Sequence, residues 1–275
     1  MQPPSPSTIL IIGDSLVQKS LDPSTLGFAS CLAHAYSDRN VDIMVRGVSG
    51  SNSRWLLKEP GCPLDMIVAE ARSKSLSICL AVLLVGANDC LLEDTPWYVP
   101  VDEYVENVRS AVERLKSDVG AERVLVLGCP PIDELAIKDT RMRRRWDRPI
   151  TYSGRLSLAM KLSFLSDRSV CEIDLANVML RKTGWCPDPA KSTSAENVLK
   201  WRGMLLDGVH LGRKGNLMVF LLIIQKIKEQ WPVISPENSP HMVRTFVGVI
   251  KGLTRIGTIS KEPTRSTAVS AQQRR

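Results

Sequence analysis

Five short runs rich in β-branched residues or leucine, each separated from the next by a stretch of helical period, constrain this chain more than any other feature. The runs are Ile9–Ile12, Asp42–Arg46, Ile78–Val85, Arg123–Leu127 and Val170–Asp174. Between and after them, apolar residues recur at three- and four-residue steps over Phe28–Tyr36, Leu64–Ser73, Val101–Leu115, Tyr152–Leu165 and Lys214–Glu229. Strands that alternate with helices cannot pair as hairpins, so they form a sheet through crossover connections. A stretch such as Cys79–Val85 is apolar at every position, which suits a strand covered on both faces. The expected architecture is an α/β fold, a three-layer α/β/α sandwich around a five-stranded, mainly parallel sheet. In Val101–Leu115 the stripe predicted to face the core is Val101, Val105, Val108, Val112 and Leu115, with Asp102, Glu103 and Glu106 at the amino end.

A chain of 275 residues is long enough for one well-buried domain and short for two. The organisation expected is a domain over 1–235 followed by a basic tail over 236–275, much of it disordered. That tail carries seven Lys and Arg against two Glu, +5 of the chain's +7, so the folded body is close to neutral. A near-neutral body lacks the electrostatic footprint of a nucleic-acid binder. The tail reads as a solvated extension, with contact to an acidic surface as the alternative. The densest basic run, Arg141–Arg148, reads as a solvated loop near the rim of the site. The longest apolar run, Leu217–Ile224, is far shorter than the roughly 20 residues of a membrane span and reads as a buried helix. Seven cysteines form neither a C-x-x-C pair nor a Cys/His zinc pattern, which points to reduced thiols. Met1–Pro6 has no basic region ahead of a long apolar stretch, so no signal peptide is expected and cytoplasmic residence follows.

The first strand ends in Gly13-Asp14-Ser15-Leu16, which delivers Ser15 to the carboxyl edge of the sheet, where open α/β folds place their sites. Gly13 is expected to permit the tight turn. Alone, this tripeptide is equally a strand-ending turn. A serine hydroxyl becomes a nucleophile only beside a base, and the chain has three histidines. His34 lies within an amphipathic helix and reads as partly buried and structural, while His241 lies in the tail. His210 follows Asp207 by three residues, so a single turn can set the carboxylate against one ring nitrogen and leave the other outward. An acidic turn carrying a surface histidine has the same spacing. Two further strand ends, Gly47-Val48-Ser49-Gly50 and Gly86-Ala87-Asn88-Asp89, offer oxyanion donors: a Gly backbone N–H and the Asn88 amide, beside the Ser15 N–H. Asp14 and Asp89 have no histidine at ligand spacing, and no G-x-G-x-x-G follows the first strand, so no metal, dinucleotide or other cofactor is expected.

These four blocks resemble those of the SGNH subgroup of GDSL hydrolases. Arg46–Trp55, Cys129–Glu134 and Gly212–Asn216 resemble the isoamyl-acetate-hydrolysing esterase group within it. The resemblance spans about residues 8–230 and implies a flavodoxin-like fold. It also implies Ser15 as nucleophile, Asp207 and His210 as acid and base, and Gly50 and Asn88 as oxyanion donors with the Ser15 N–H. The substrates it implies are small carboxylic esters, short-chain or acetyl. An acyltransferase or deacetylase acting on an alcohol or sugar, and a non-catalytic binding module, are the alternatives. Ile12, Cys90 and Gly212 depart from the usual pattern at positions that could reshape the acyl pocket or loosen the loop that holds His210.

Overall fold

A run such as Ile9–Ile12, apolar on both faces of a strand, is stable only between two layers, and all four side chains are fully buried. Each contributes ~1.5–3 kcal/mol of burial energy. The computed structural model describes residues 7–134, 136–137, 149–164, 167–185 and 201–236. In chain order the elements are β1 (Ser7–Gly13), α1 (Ser15–Gln18), α2 (Phe28–Ala35), β2 (Val41–Gly47), α3 (Ser53–Leu57) and α4 (Pro63–Ser73). They continue as β3 (Ser77–Leu84), α5 (Val101–Ser117), β4 (Val124–Leu127), α6 (Ile150–Ser163), β5 (Val170–Ile173), α7 (Leu175–Thr183) and α8 (Arg213–Gln230). The five strands lie in the order β2-β1-β3-β4-β5, and every pairing is parallel. The α/β sandwich with its five expected strands is therefore the observed fold.

The short helices α1, α3 and α7 escaped the sequence reading because two of them hold only one turn of period. Each is started by a polar side chain that accepts a backbone N–H: Asp14 from Leu16, Asn52 from Trp55 and Asp174 from Asn177. In α5 the buried stripe is Tyr104, Val108, Ala111, Val112 and Leu115 with Asn107, while Val101 and Val105 are only half-buried. The face is rotated from the predicted one because its polar members find partners inside. Tyr104 donates its hydroxyl to Val85 O at 2.9 Å, and Asn107 donates to Ser53 Oγ at 3.1 Å. The apolar run in α8 is buried at Leu217, Val219, Phe220 and Leu222–Ile224, as expected of a core helix.

Gly13 plays a different part from the one expected. Its φ lies outside the left-handed region, and a Cβ there would stand 2.0 Å from Leu84 O and 2.4 Å from Val17 Cγ2. It is needed for close approach between β1, β3 and α1, not for a turn. His34 is exposed on α2, not partly buried. Arg141–Arg148, His241, Cys186 and the 236–275 tail from residue 237 onward lie outside the described residues. The six remaining cysteines are unpaired thiols. Among the described residues, no helix is long and apolar enough to cross a membrane.

Candidate active site

Parallel strands direct all their carboxyl ends to one edge, so the loops after β1, β2 and β3 meet there. Asp14 closes the turn after β1 by accepting the Leu16 N–H at 2.8 Å, which starts α1 and leaves Ser15 at its first position, 5% exposed. Opposite it stands the segment before α8. Leu206 N donates to His210 O at 2.8 Å and Gly212 N to Met204 O at 2.8 Å, so Met204–Gly212 forms a narrow ribbon with Asp207 and His210 at its tip. Gly208, at φ +86°, allows the chain to turn inside that tip, and a Cβ there would lie 2.5 Å from Asp133 O. Asp133 N in turn donates to Gly208 O at 2.9 Å. The buried Asn216 amide donates to Leu211 O at 3.1 Å and holds the base of the ribbon to α8. Gly212, which departs from the family pattern, closes this ribbon through its bond to Met204 O. Its missing side chain leaves room for Gly203 O, 2.6 Å from where a Cβ would be.

Within the tip, one Asp207 oxygen accepts the backbone N–H groups of Val209 (3.1 Å) and His210 (2.9 Å), and the other lies 2.8 Å from His210 Nδ1. Burial alone would raise the Asp207 pKa. The hydrogen bond from the His210 ring, the His210 backbone N–H, the imidazole charge and the Val209 N–H override it and hold the carboxyl well below its usual range. An ionised carboxylate only accepts, so the proton of a neutral His210 sits on Nδ1 and the lone pair on Nε2. Nε2 is 2.9 Å from Ser15 Oγ. The structure therefore brings Ser15, His210 and Asp207 into one hydrogen-bonded line, an arrangement able to take a proton from the serine as it attacks an acyl carbon.

The two donor loops adjoin it. Val48 N donates to Gly13 O at 2.9 Å, and Ser51 N to Val48 O at 3.3 Å, closing a turn whose third residue, Gly50, has φ +80°. That conformation at that position is one that favours glycine. Asn88 is buried, and its amide donates to Ser51 O at 2.8 Å. Gly50 and Asn88 thus stand on neighbouring loops joined through Ser51. Further polar bonds lie beside them. Asp89 is fully buried and accepts the Ser53 N–H with both oxygens, at 3.0 and 3.1 Å. Burial pushes its pKa up to about 6 against the hydrogen bonds from Ser53. Arg54 and Glu103 make a two-pronged ion pair, 2.7 Å on each arm, that ties α3 to α5. The Asn-Asp dipeptide itself was the visible signal, since a carboxylate next to a site amide is an evident anchor.

The fold is that of SGNH/GDSL esterases, and the match of the chain to a GDSL-like lipase/acylhydrolase model makes the protein a carboxylic-ester hydrolase. It belongs to the GDSL-like lipase/acylhydrolase family, whose model matches residues 11–151. A GDSL esterase/lipase of Arabidopsis thaliana is 30% identical over 84% of this chain and 89% of its own length. An isoamyl acetate-hydrolyzing esterase of Saccharomyces cerevisiae is 25% identical over 88% of this chain and 94% of its own. The human isoamyl acetate-hydrolyzing esterase 1 homolog is 28% identical over 84% and 82%. Among solved structures, an acetylxylan esterase from Geobacillus stearothermophilus superimposes with a TM-score of 0.54 at 16% identity, covering 82% of this chain and 96% of that one.

Proposed function

We propose that the protein hydrolyses small carboxylic esters, short-chain or acetyl, through an acyl-enzyme on Ser15. The observation that carries this reading is the continuous line from Ser15 Oγ to His210 Nε2 (2.9 Å) and from His210 Nδ1 to Asp207 (2.8 Å). His210 takes the Ser15 proton as Oγ bonds to the ester carbonyl carbon, and Asp207 stabilises the imidazolium. The oxyanion is met by the N–H groups of Ser15 and Gly50 and by the Asn88 amide. Collapse of the tetrahedral intermediate breaks the bond to the alcohol, which leaves with the proton from His210. Water, deprotonated by the same base, then releases the acid and restores Ser15. Support for small acyl groups comes from relatives that are named for isoamyl acetate and from a structural neighbour named for acetylxylan. In this reading 1–235 is the hydrolase domain and 236–275 a basic tail attached to it.

The test is hydrolysis of a chromogenic short-chain ester by the purified protein. Ser15→Ala and His210→Ala should each lower kcat by several orders of magnitude, with KM little changed. Near-normal kcat in Ser15→Ala defeats the reading.

A further inference from the structure

The two loops offered as oxyanion donors are not placed against each other by the sheet. Gly50 follows β2 and Asn88 follows β3, and β1 lies between these strands. Backbone pairing joins β2 and β3 each to β1 and not to each other, so the mutual register of their loops at the site depends on bonds that cross over the end of β1. Two consecutive residues of the β3 loop supply such bonds to alternate residues of the β2 loop. Asn88 donates to Ser51 O, and Asp89 accepts the Ser53 N–H. Asn107, from α5, holds the Ser53 hydroxyl from its other side at 3.1 Å, so Ser53 is gripped from two elements.

The Asp89 carboxylate has no exposed surface, and the nearby cation, Arg54, is engaged by Glu103. A charge buried in this way does little for stability, and a neutral side chain of similar size is commonly better tolerated. What the carboxylate supplies is geometry: a short side chain with two acceptor oxygens at the Ser53 N–H, one of which an Asn would replace with an NH2 that can only donate.

From this we propose that Asp89 is a positioning residue for ester hydrolysis, which acts through Ser53 to hold the Gly50 loop in register with Asn88 so that the donors converge on one oxygen. It touches neither the substrate nor the Ser15–His210 pair. Its effect belongs to the transition state, when charge reaches the oxyanion, and so to kcat and not to KM.

The inference rests on the serine-esterase reading, and the experiment separates the two. Wild type, Ser15→Ala, Asn88→Ala, Asp89→Asn and the Asn88→Ala/Asp89→Asn double variant are compared on a chromogenic acetate ester, with thermal melts at pH 8. Asp89→Asn is expected to melt no lower than wild type and to lose ~10- to 100-fold in kcat, the effect of a small misplacement at a site, with KM within about threefold. In the Asn88→Ala background the same change is expected to lower kcat by less than about threefold, because the register then has little left to position. Wild-type kcat in Asp89→Asn, a loss expressed in KM, or full additivity with Asn88→Ala overturns the role. If Asp89→Asn does not fold, Asp89→Ala reads the same link, since it removes both acceptor oxygens from the Ser53 N–H: a fall in kcat at constant KM supports it, and wild-type kcat overturns it. Activity surviving in Ser15→Ala defeats the esterase reading itself, whereas inactive Ser15→Ala beside wild-type kcat in Asp89→Asn defeats only the role of Asp89.

Discussion

Asp207→Asn separates what the carboxylate does for the loop from what it does for the histidine. One oxygen accepts the backbone N–H groups of Val209 and His210, a task an amide oxygen performs as well. The other faces His210 Nδ1 at 2.8 Å. In the variant that place is taken by an NH2 group, which can only donate, so His210 is driven to the tautomer with Nδ1 as acceptor and Nε2 protonated. Nε2 then points a hydrogen at Ser15 Oγ and cannot take its proton. The expected loss is ~10³- to 10⁴-fold in kcat, about 4–5.5 kcal/mol of barrier, as inversion of this tautomer removes the base. Stability should change by only about 1 kcal/mol, since two of the three bonds persist. Asp207→Ala, which loses all three, should match it in kcat and melt lower. The assay is steady-state hydrolysis of a chromogenic short-chain ester with a parallel thermal melt. A kcat in Asp207→Asn within tenfold of wild type would refute the tautomer argument. The acid limb offers a second reading. The Asp207 pKa is lowered by folding, so its contribution to stability is complete above the unfolded value of 3.8 and fades as pH falls below it. Asp207→Asn should flatten that part of the wild-type stability profile.

The Asp89 pKa runs the other way. It is raised by folding from 3.8 to about 6, so stability is greatest below the unfolded value and is lost as pH rises through the folded one, on the order of 3 kcal/mol at ~1.36 kcal/mol per pKa unit. The difference in melting temperature between Asp89→Asn and wild type should therefore grow in favour of the variant between about pH 4 and pH 7, and a pH-independent difference would contradict the buried charge. Gly208→Ala sets a Cβ at φ +86° and 2.5 Å from Asp133 O, so it should destabilise by more than ~1 kcal/mol and depress kcat through displacement of His210; unchanged melting and kinetics would show the tip to be pliable. Gly13→Ala meets the backbone of β3 2.0 Å away at the carboxyl end of β1, and the expected outcome is insoluble or unfolded protein on expression.

The strands were legible because each is a short run rich in β-branched residues or leucine, and the long helices because their period extends over several turns. Most boundaries differ by one or two residues, where backbone hydrogen bonding decides the matter and hydrophobic pattern does not. The face of α5 was misjudged for a related reason. Tyr104 and Asn107 look like surface residues until the groups they bond, Val85 O and Ser53 Oγ, are seen beneath them. Asp207 and His210 could be paired in advance because three residues separate them, whereas the Asp133 bond that holds their ribbon comes from an element distant in the chain.

The sequence by itself determined the alternation of strands and helices, the delivery of Ser15 to a strand end and the local turn between Asp207 and His210. These depend on neighbours within about four residues, where side-chain period and turn chemistry act directly. Only the tertiary structure decided that Ser15 Oγ meets His210 Nε2 across 195 residues. It also decided that β1 separates the two donor loops, that Gly13 serves close packing and not a turn, and that Asp89 is buried against Ser53. The reason is that strand order and loop-to-loop bonds are properties of the packed layers: no local pattern states which strand lies beside which, and the polar groups that lock the site find their partners only when the sheet has assembled.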